Sequence, residues 1–138
     1  MTTEKITILT AVNAKIEKVW QYYNQAQHII HWNFATDEWC CPKVETDFIE
    51  GGKYLARMEA KDGSFGFDFE AVFDEIREPE WVAYTMGDGP RAEIEFREEG
   101  EKTVVKISFD PDQSHSREMQ RDGWQAILNN FKKYAETH

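Results

Sequence analysis

The sequence predicts an α+β fold: a curved antiparallel sheet of six to seven strands, two short helices and one long C-terminal helix. Three observations predict it. Apolar residues alternate with polar ones in successive runs from Lys43 to Phe109, the period of a half-buried strand. A short stretch near the start and a long one at the end instead repeat at i, i+3, i+4 and i+7, the period of an amphipathic helix. Strands grouped together, with helices before and after them, make helix-on-sheet packing the economical way to bury both apolar faces.

The elements follow in order. Lys5 to Val12 alternates and is rich in β-branched residues, so it reads as a strand. Asn13 then stands where a helix cap is expected. Ile16, Val19, Trp20 and Tyr23 form the stripe of the first helix, and Asn24 to Ile30 reads as a second helical turn. The segment His31–Pro42 (HWNFATDEWCCP) fits neither period. It reads as a loop whose aromatic rings must lie against something apolar.

From Lys43 to Glu50 a strand is expected, ended by Gly51-Gly52. Lys53 to Ala60 places Tyr54, Ala56, Met58 and Ala60 on one face. Lys61-Asp62-Gly63-Ser64 turns the chain, with Asp-Gly as the hairpin signal. Phe65 to Arg77 is the clearest strand: Phe67, Phe69, Ala71 and Phe73 share a face, and Asp68 and Glu70 occupy the other. Glu78-Pro79-Glu80 and Gly87-Asp88-Gly89-Pro90 bracket the strand Trp81 to Met86. Arg91 to Arg97 and a last strand with Val105, Ile107 and Phe109 complete the sheet. Asp112, Ser114 or Ser116 offers a cap for the final helix, whose stripe is Trp124, Ile127, Leu128, Phe131 and Ala135. Gly123 interrupts that helix, which costs about 1 kcal/mol relative to alanine. Close approach of a strand, or room for a ligand, would account for it.

The 138 residues suit one domain, 1–138. A formal net charge of −10 disfavours nucleic acid and anionic membrane surfaces as partners. No run approaches the roughly 20 apolar residues of a membrane span. The opening MTTEKITILTAV lacks a basic region followed by a long apolar core, so no signal peptide is expected. With only two cysteines, adjacent in sequence, a reduced cytoplasmic setting is the expectation.

Several short stretches carry a resemblance. The opening ANAKIEKVWQYY resembles the start of helix-grip domains in the START-like (SRPBCC) superfamily, which also contains polyketide cyclases. The middle GGKYLARMEAKDGSFGFDFEAVFDEI and the ending EMQRDGWQAILNNFKKYAE resemble the branch named after activators of heat-shock-protein-90 ATPase. The loop HWNFATDEWCCPK is similar to a subgroup in which this segment crosses the mouth of a cavity. The resemblance implies a cavity between sheet and C-terminal helix. It implies a ligand of lipid, sterol, polyketide or flavonoid type, or cyclisation or hydration chemistry in the same place.

The main expectation is therefore binding of a small hydrophobic or aromatic molecule by Trp32, Phe34, Trp39, Met58, Phe67, Phe69, Tyr84, Met86, Trp124 and Leu128. Aromatic and methionine side chains suit flat, varied ligands. Trp32, Phe34 and Trp39 are expected to close one end. No cofactor is called for. His28, His31, Cys40 and Cys41 are metal-ligand types, but adjacent cysteines diverge and no C-x-x-C or H-x-x-x-H spacing is present, so no metal site is expected. A cyclase or hydratase is the first alternative and needs an ionisable group in the cavity; Asp37, Asp68, Glu70 and His115 are the candidates. The family name supplies a third reading, a module acting on a chaperone ATPase.

Overall fold

The structure, a computed structural model, describes residues 4–87, 89–112 and 114–138. Asp88 of the expected Gly87–Pro90 turn and Gln113 of the expected cap segment lie outside the described residues. The order is β1 (Ile6–Val12), α1 (Ile16–Asn24), α2 (Ala26–Ile29), β2 (Trp39–Thr46), β3 (Lys53–Ala60), β4 (Gly66–Arg77), β5 (Trp81–Met86), β6 (Arg91–Glu99), β7 (Lys102–Phe109) and α3 (Arg117–Thr137). The strands form one seven-stranded sheet, ordered β1-β7-β6-β5-β4-β3-β2, with every neighbouring pair antiparallel. This is the curled sheet and long helix of a helix-grip α+β fold.

The first strand pairs with the last. β1 runs against β7 from Ile6↔Phe109 to Val12↔Thr103, and strict alternation puts Ile6, Ile8, Thr10 and Val12 inside. Ala92, Ile94 and Phe96 of β6 and Val105, Ile107 and Phe109 of β7 continue that inner surface. α3 lies across this half of the sheet. Its Leu128, Phe131 and Ala135 are fully buried, and Trp124 stacks on Phe109 at 4.1 Å and 11°. Ser116 caps it, its hydroxyl accepting from the Met119 N–H at 3.1 Å. Because a twisted sheet curls, the β3–β4 half bends round to face the helix across a gap.

Three local expectations change. Asn13 does not cap α1: Lys15 holds that position without a side-chain bond, and the Asn13 N–H donates to Glu136 Oε2 of α3 at 2.8 Å. The β2 strand begins at Trp39 and ends at Thr46, not at Lys43 and Glu50. A register shift between Cys40 and Lys43, with Pro42 inside it, breaks the alternation that would reveal a strand. An edge strand tolerates that proline because no ladder partner needs its missing N–H. The turn after β2 is tight: a Cβ on Gly52 would lie 2.0 Å from the Asp47 carbonyl oxygen, and Gly51 has φ +86°.

The third concerns Gly123. A Cβ built there meets nothing within 4 Å, so no strand presses on it. Gly123→Ala should stabilise the protein by about 1 kcal/mol through helix propensity alone. A thermal melt should show a midpoint about 4 °C higher; an unchanged or lower midpoint would contradict the open space.

Candidate functional site

A cavity of about 220 Å³ lies between α3 and the inner face of the sheet. Each wall follows from a periodicity. β3 alternation turns Tyr54 and Met58 inward, β4 contributes Phe67 and Phe69, β5 Tyr84 and β7 Ile107. The α3 stripe supplies Trp124, Ile127 and Leu128. Tyr23 comes from the last turn of α1, and Trp32 and Asn33 from the segment after α2.

That segment is held in place by α3. Asn130 Nδ2 donates to the carbonyls of Trp32 at 2.9 Å and Phe34 at 3.4 Å. The Trp32 indole N–H donates to the Tyr22 carbonyl at 3.0 Å. The Trp32 ring packs edge-on to Phe131 at 4.9 Å and stacks on Tyr23 at 5.0 Å.

Of the ten residues singled out from the sequence, Trp32, Met58, Phe67, Phe69, Tyr84, Trp124 and Leu128 line the cavity. Phe34 and Trp39 do not. They pack beside a separate small cluster of Cys41, Ala56 and Met58. The Trp39 ring lies 6.1 Å from Phe65 and 6.2 Å from Phe67, where Phe67 is 44% exposed at the cavity rim. Met86, at the end of β5, is half-buried against the main core and away from the cavity wall. Tyr23, Tyr54, Ile107 and Ile127 line the wall without having been singled out, although each sits on an apolar face that the periodicity marks. Asn33 had no such signal. Its Nδ2 points at Met58 Sδ, 3.6 Å away, and Cys41 Sγ, 3.8 Å away.

Among the described residues of the wall, the polar side chains besides the indoles are Asn33 and three phenols, and the Trp32 N–H is already donated to the Tyr22 carbonyl. Burial pushes the Tyr23, Tyr54 and Tyr84 hydroxyls well above the ordinary tyrosine range; neighbouring phenols add to the rise at Tyr23 and Tyr54. These groups therefore stay protonated at neutral pH. The Cys41 thiol is also pushed up, mainly by burial.

The acid and base candidates lie elsewhere. Asp68 is exposed and pairs with Arg57 at 3.4 Å; Glu70 and Asp37 are exposed. His115 faces solvent with Nδ1 3.1 Å from Asp112 Oδ2. His28 stacks on Tyr22 at 4.0 Å and shares a 2.8 Å hydrogen bond with the Tyr134 hydroxyl. Its pKa is lowered, first by burial and then by the nearby His31 and His138. Cys40 and Cys41 are free thiols. Among the described residues, no group of three or more His, Cys, Asp or Glu side chains is placed to hold a metal ion. A larger groove of about 850 Å³ runs over the outer face past Glu45, Lys53, Leu55, Glu70 and Val72. It is open to solvent, and so lacks the enclosure that ligand sites need.

Comparison with known proteins places this architecture. No curated protein matches the chain. The solution structure of an AHSA1-like protein from Aeromonas hydrophila is similar over 96% of this chain and 92% of its own, with 38% identity and a TM-score of 0.92. Chr148 from Cytophaga hutchinsonii is 45% identical over 96% of this chain and 92% of its own, with a TM-score of 0.83. The crystal structure of CV1439 from Chromobacterium violaceum, 19% identical, shares the fold with a TM-score of 0.87 over 98% of this chain and 99% of its own. The family described as "Activator of Hsp90 ATPase homolog 1-like protein" has a model that matches residues 13–136, and the chain belongs to that family.

Proposed function

We propose that this domain binds a small, largely apolar, aromatic molecule in the cavity between the sheet and α3. The observation that carries the reading is a volume of about 220 Å³, open at the Phe67 rim and walled by aromatic and aliphatic side chains from both layers. A dry cavity of about 150 Å³ holds one benzene. By that scale this one takes roughly nine non-hydrogen atoms, a single substituted ring rather than an extended polyketide.

The lining argues for binding over catalysis. Among the described residues that form it there is no carboxylate, imidazole or amine. A cyclase or hydratase would have no general base of suitable pKa against its substrate. A role on a chaperone ATPase rests on the family name alone. The net charge of −10 speaks against nucleic acid or an anionic membrane as partner. No described helix is long and apolar enough to cross a membrane. The adjacent free thiols suit a reducing, cytoplasmic setting.

Trp32 and Trp124 line the cavity, so occupancy should change tryptophan fluorescence. Titration with single-ring aromatic compounds should give saturable changes. Leu128→Trp, which fills the space from the α3 side, should abolish them while the protein remains folded. A library of such compounds that produces no saturable response would defeat the proposal.

A further inference from the structure

Three tyrosine side chains from three different elements meet in this cavity: Tyr23 of α1, Tyr54 of β3 and Tyr84 of β5. The Tyr54 ring lies 5.8 Å from that of Tyr84, and Phe69 sits 5.5 Å from Tyr54 and 6.1 Å from Tyr84. Tyr23 approaches from the helical side, stacked on Trp32 and edge-on to Phe131 at 5.1 Å. None of the three hydroxyls has a hydrogen-bond partner among the described residues. Elsewhere in the molecule phenols are partnered: Tyr22 donates to the His138 carbonyl and Tyr134 is bonded to His28.

A hydroxyl that a hydrocarbon occupant sealed off without a partner would be destabilising by about 1–3 kcal/mol. Phenylalanine has the same shape and would avoid that penalty in a wall built only for hydrocarbon. No described side-chain oxygen or nitrogen is both sealed from all open space and unbonded. The three hydroxyls therefore keep open surface, and the space that all three side chains share is the cavity.

We infer that the cavity is built for a neutral ring compound bearing a carbonyl oxygen, whose two lone pairs accept hydrogen bonds from hydroxyls of the Tyr23, Tyr54 and Tyr84 set. This rests on the binding reading above and adds the chemistry of the ligand. Phenols supply donors to such an oxygen, and the apolar wall of Phe69, Leu128 and Trp124 covers the ring. A carboxylate ligand fits poorly: no lysine, arginine or histidine lines the wall, so its charge would be desolvated without compensation. The raised phenol pKa values act in the same direction, keeping all three groups as neutral donors.

The test compares acetophenone, α-methylstyrene and benzoate. The first two share the ring and the number of non-hydrogen atoms and differ in C=O against C=CH₂. Heteronuclear NMR titration of the wild-type protein should show acetophenone binding at least about tenfold more tightly than α-methylstyrene. Benzoate should bind more weakly than either. Tyr23→Phe, Tyr54→Phe and Tyr84→Phe, measured singly, should narrow the ketone preference in at least one variant to under about threefold while leaving alkene affinity in place. Equal or tighter binding of the alkene overturns the inference but leaves the binding proposal standing. So does a ketone preference that persists in all three variants. Failure of both neutral compounds to bind overturns the inference, and failure of the wider single-ring library overturns the binding proposal as well. The wild-type comparison decides even if a variant does not fold.

Discussion

Phe131→Ala is expected to lower stability by about 3–5 kcal/mol. Phe131 is 0% exposed and sits where α3, α1 and the segment after α2 converge. Its ring makes edge-on contacts with Trp32 at 4.9 Å and Tyr23 at 5.1 Å. Truncation removes the transfer energy of a whole ring and two favourable aromatic geometries. It also leaves a void in a layer pinned between helix and sheet, where collapse is limited. Against a typical total of about 5–15 kcal/mol, that is enough to populate unfolded chains. Urea denaturation followed by circular dichroism measures it. A loss below about 1 kcal/mol would mean that the wall relaxes freely. Phe131→Leu, which keeps most of the volume, should be substantially milder.

Asn130→Asp should cost about 2–3 kcal/mol at neutral pH. The substitution keeps the shape but replaces the donor that serves the Trp32 and Phe34 carbonyls with a carboxylate oxygen. Two carbonyl acceptors lose their partner, and negative charge is brought up against them. The sign of the pH dependence follows. Facing two carbonyl oxygens, the introduced carboxyl has a folded-state pKa raised above its unfolded value of about 3.9. The protonated form can donate again, so the deficit relative to wild type is full above the raised pKa and shrinks as pH falls through it towards 4. Wild type and variant compared by urea titration at pH 7.5 and at pH 4.5 separate this from a general acid effect, which acts on both proteins. Because the substitution keeps the shape, the absence of a deficit at either pH would show that Asn130 acts by packing alone. The same variant should free the Trp32 to Phe34 segment and weaken binding in the cavity.

Much of the architecture was legible because a half-buried strand and a surface helix leave different periods in the chain. β4 could be read from Phe67, Phe69, Ala71 and Phe73 because one face meets apolar neighbours and the other meets water. The α3 stripe was legible for similarly local reasons, and the cap to within three candidates, Asp112, Ser114 and Ser116, of which the structure uses Ser116. The start of β2 was not. A bulge and a proline on an edge strand remove the alternation, and Trp39 to Pro42 looks like loop when read one residue at a time. The role of Asn13 also escaped, because its partner, Glu136, is distant in the chain.

The candidate site divides the same way. Met58, Phe69, Tyr84, Trp124 and Leu128 could be assigned to the inner side from their positions in strand and helix periods. Phe34 and Trp39 share the aromatic character of Trp32, yet the structure sends them to a separate small cluster around Cys41, Ala56 and Met58. A cavity between sheet and C-terminal helix was expected from the resemblance, but the meeting of Tyr23, Tyr54 and Tyr84 had no sequence signature.

The chain alone determined the alternation of faces, the order of elements and the kind of residue on each inner surface, because these depend on neighbours a few positions apart. The tertiary structure decided where sheet and helix part, which rings wall the gap and which hydroxyls stand together within it. Those depend on the curl of the whole sheet and the angle at which α3 crosses it, which bring together groups many tens of residues apart.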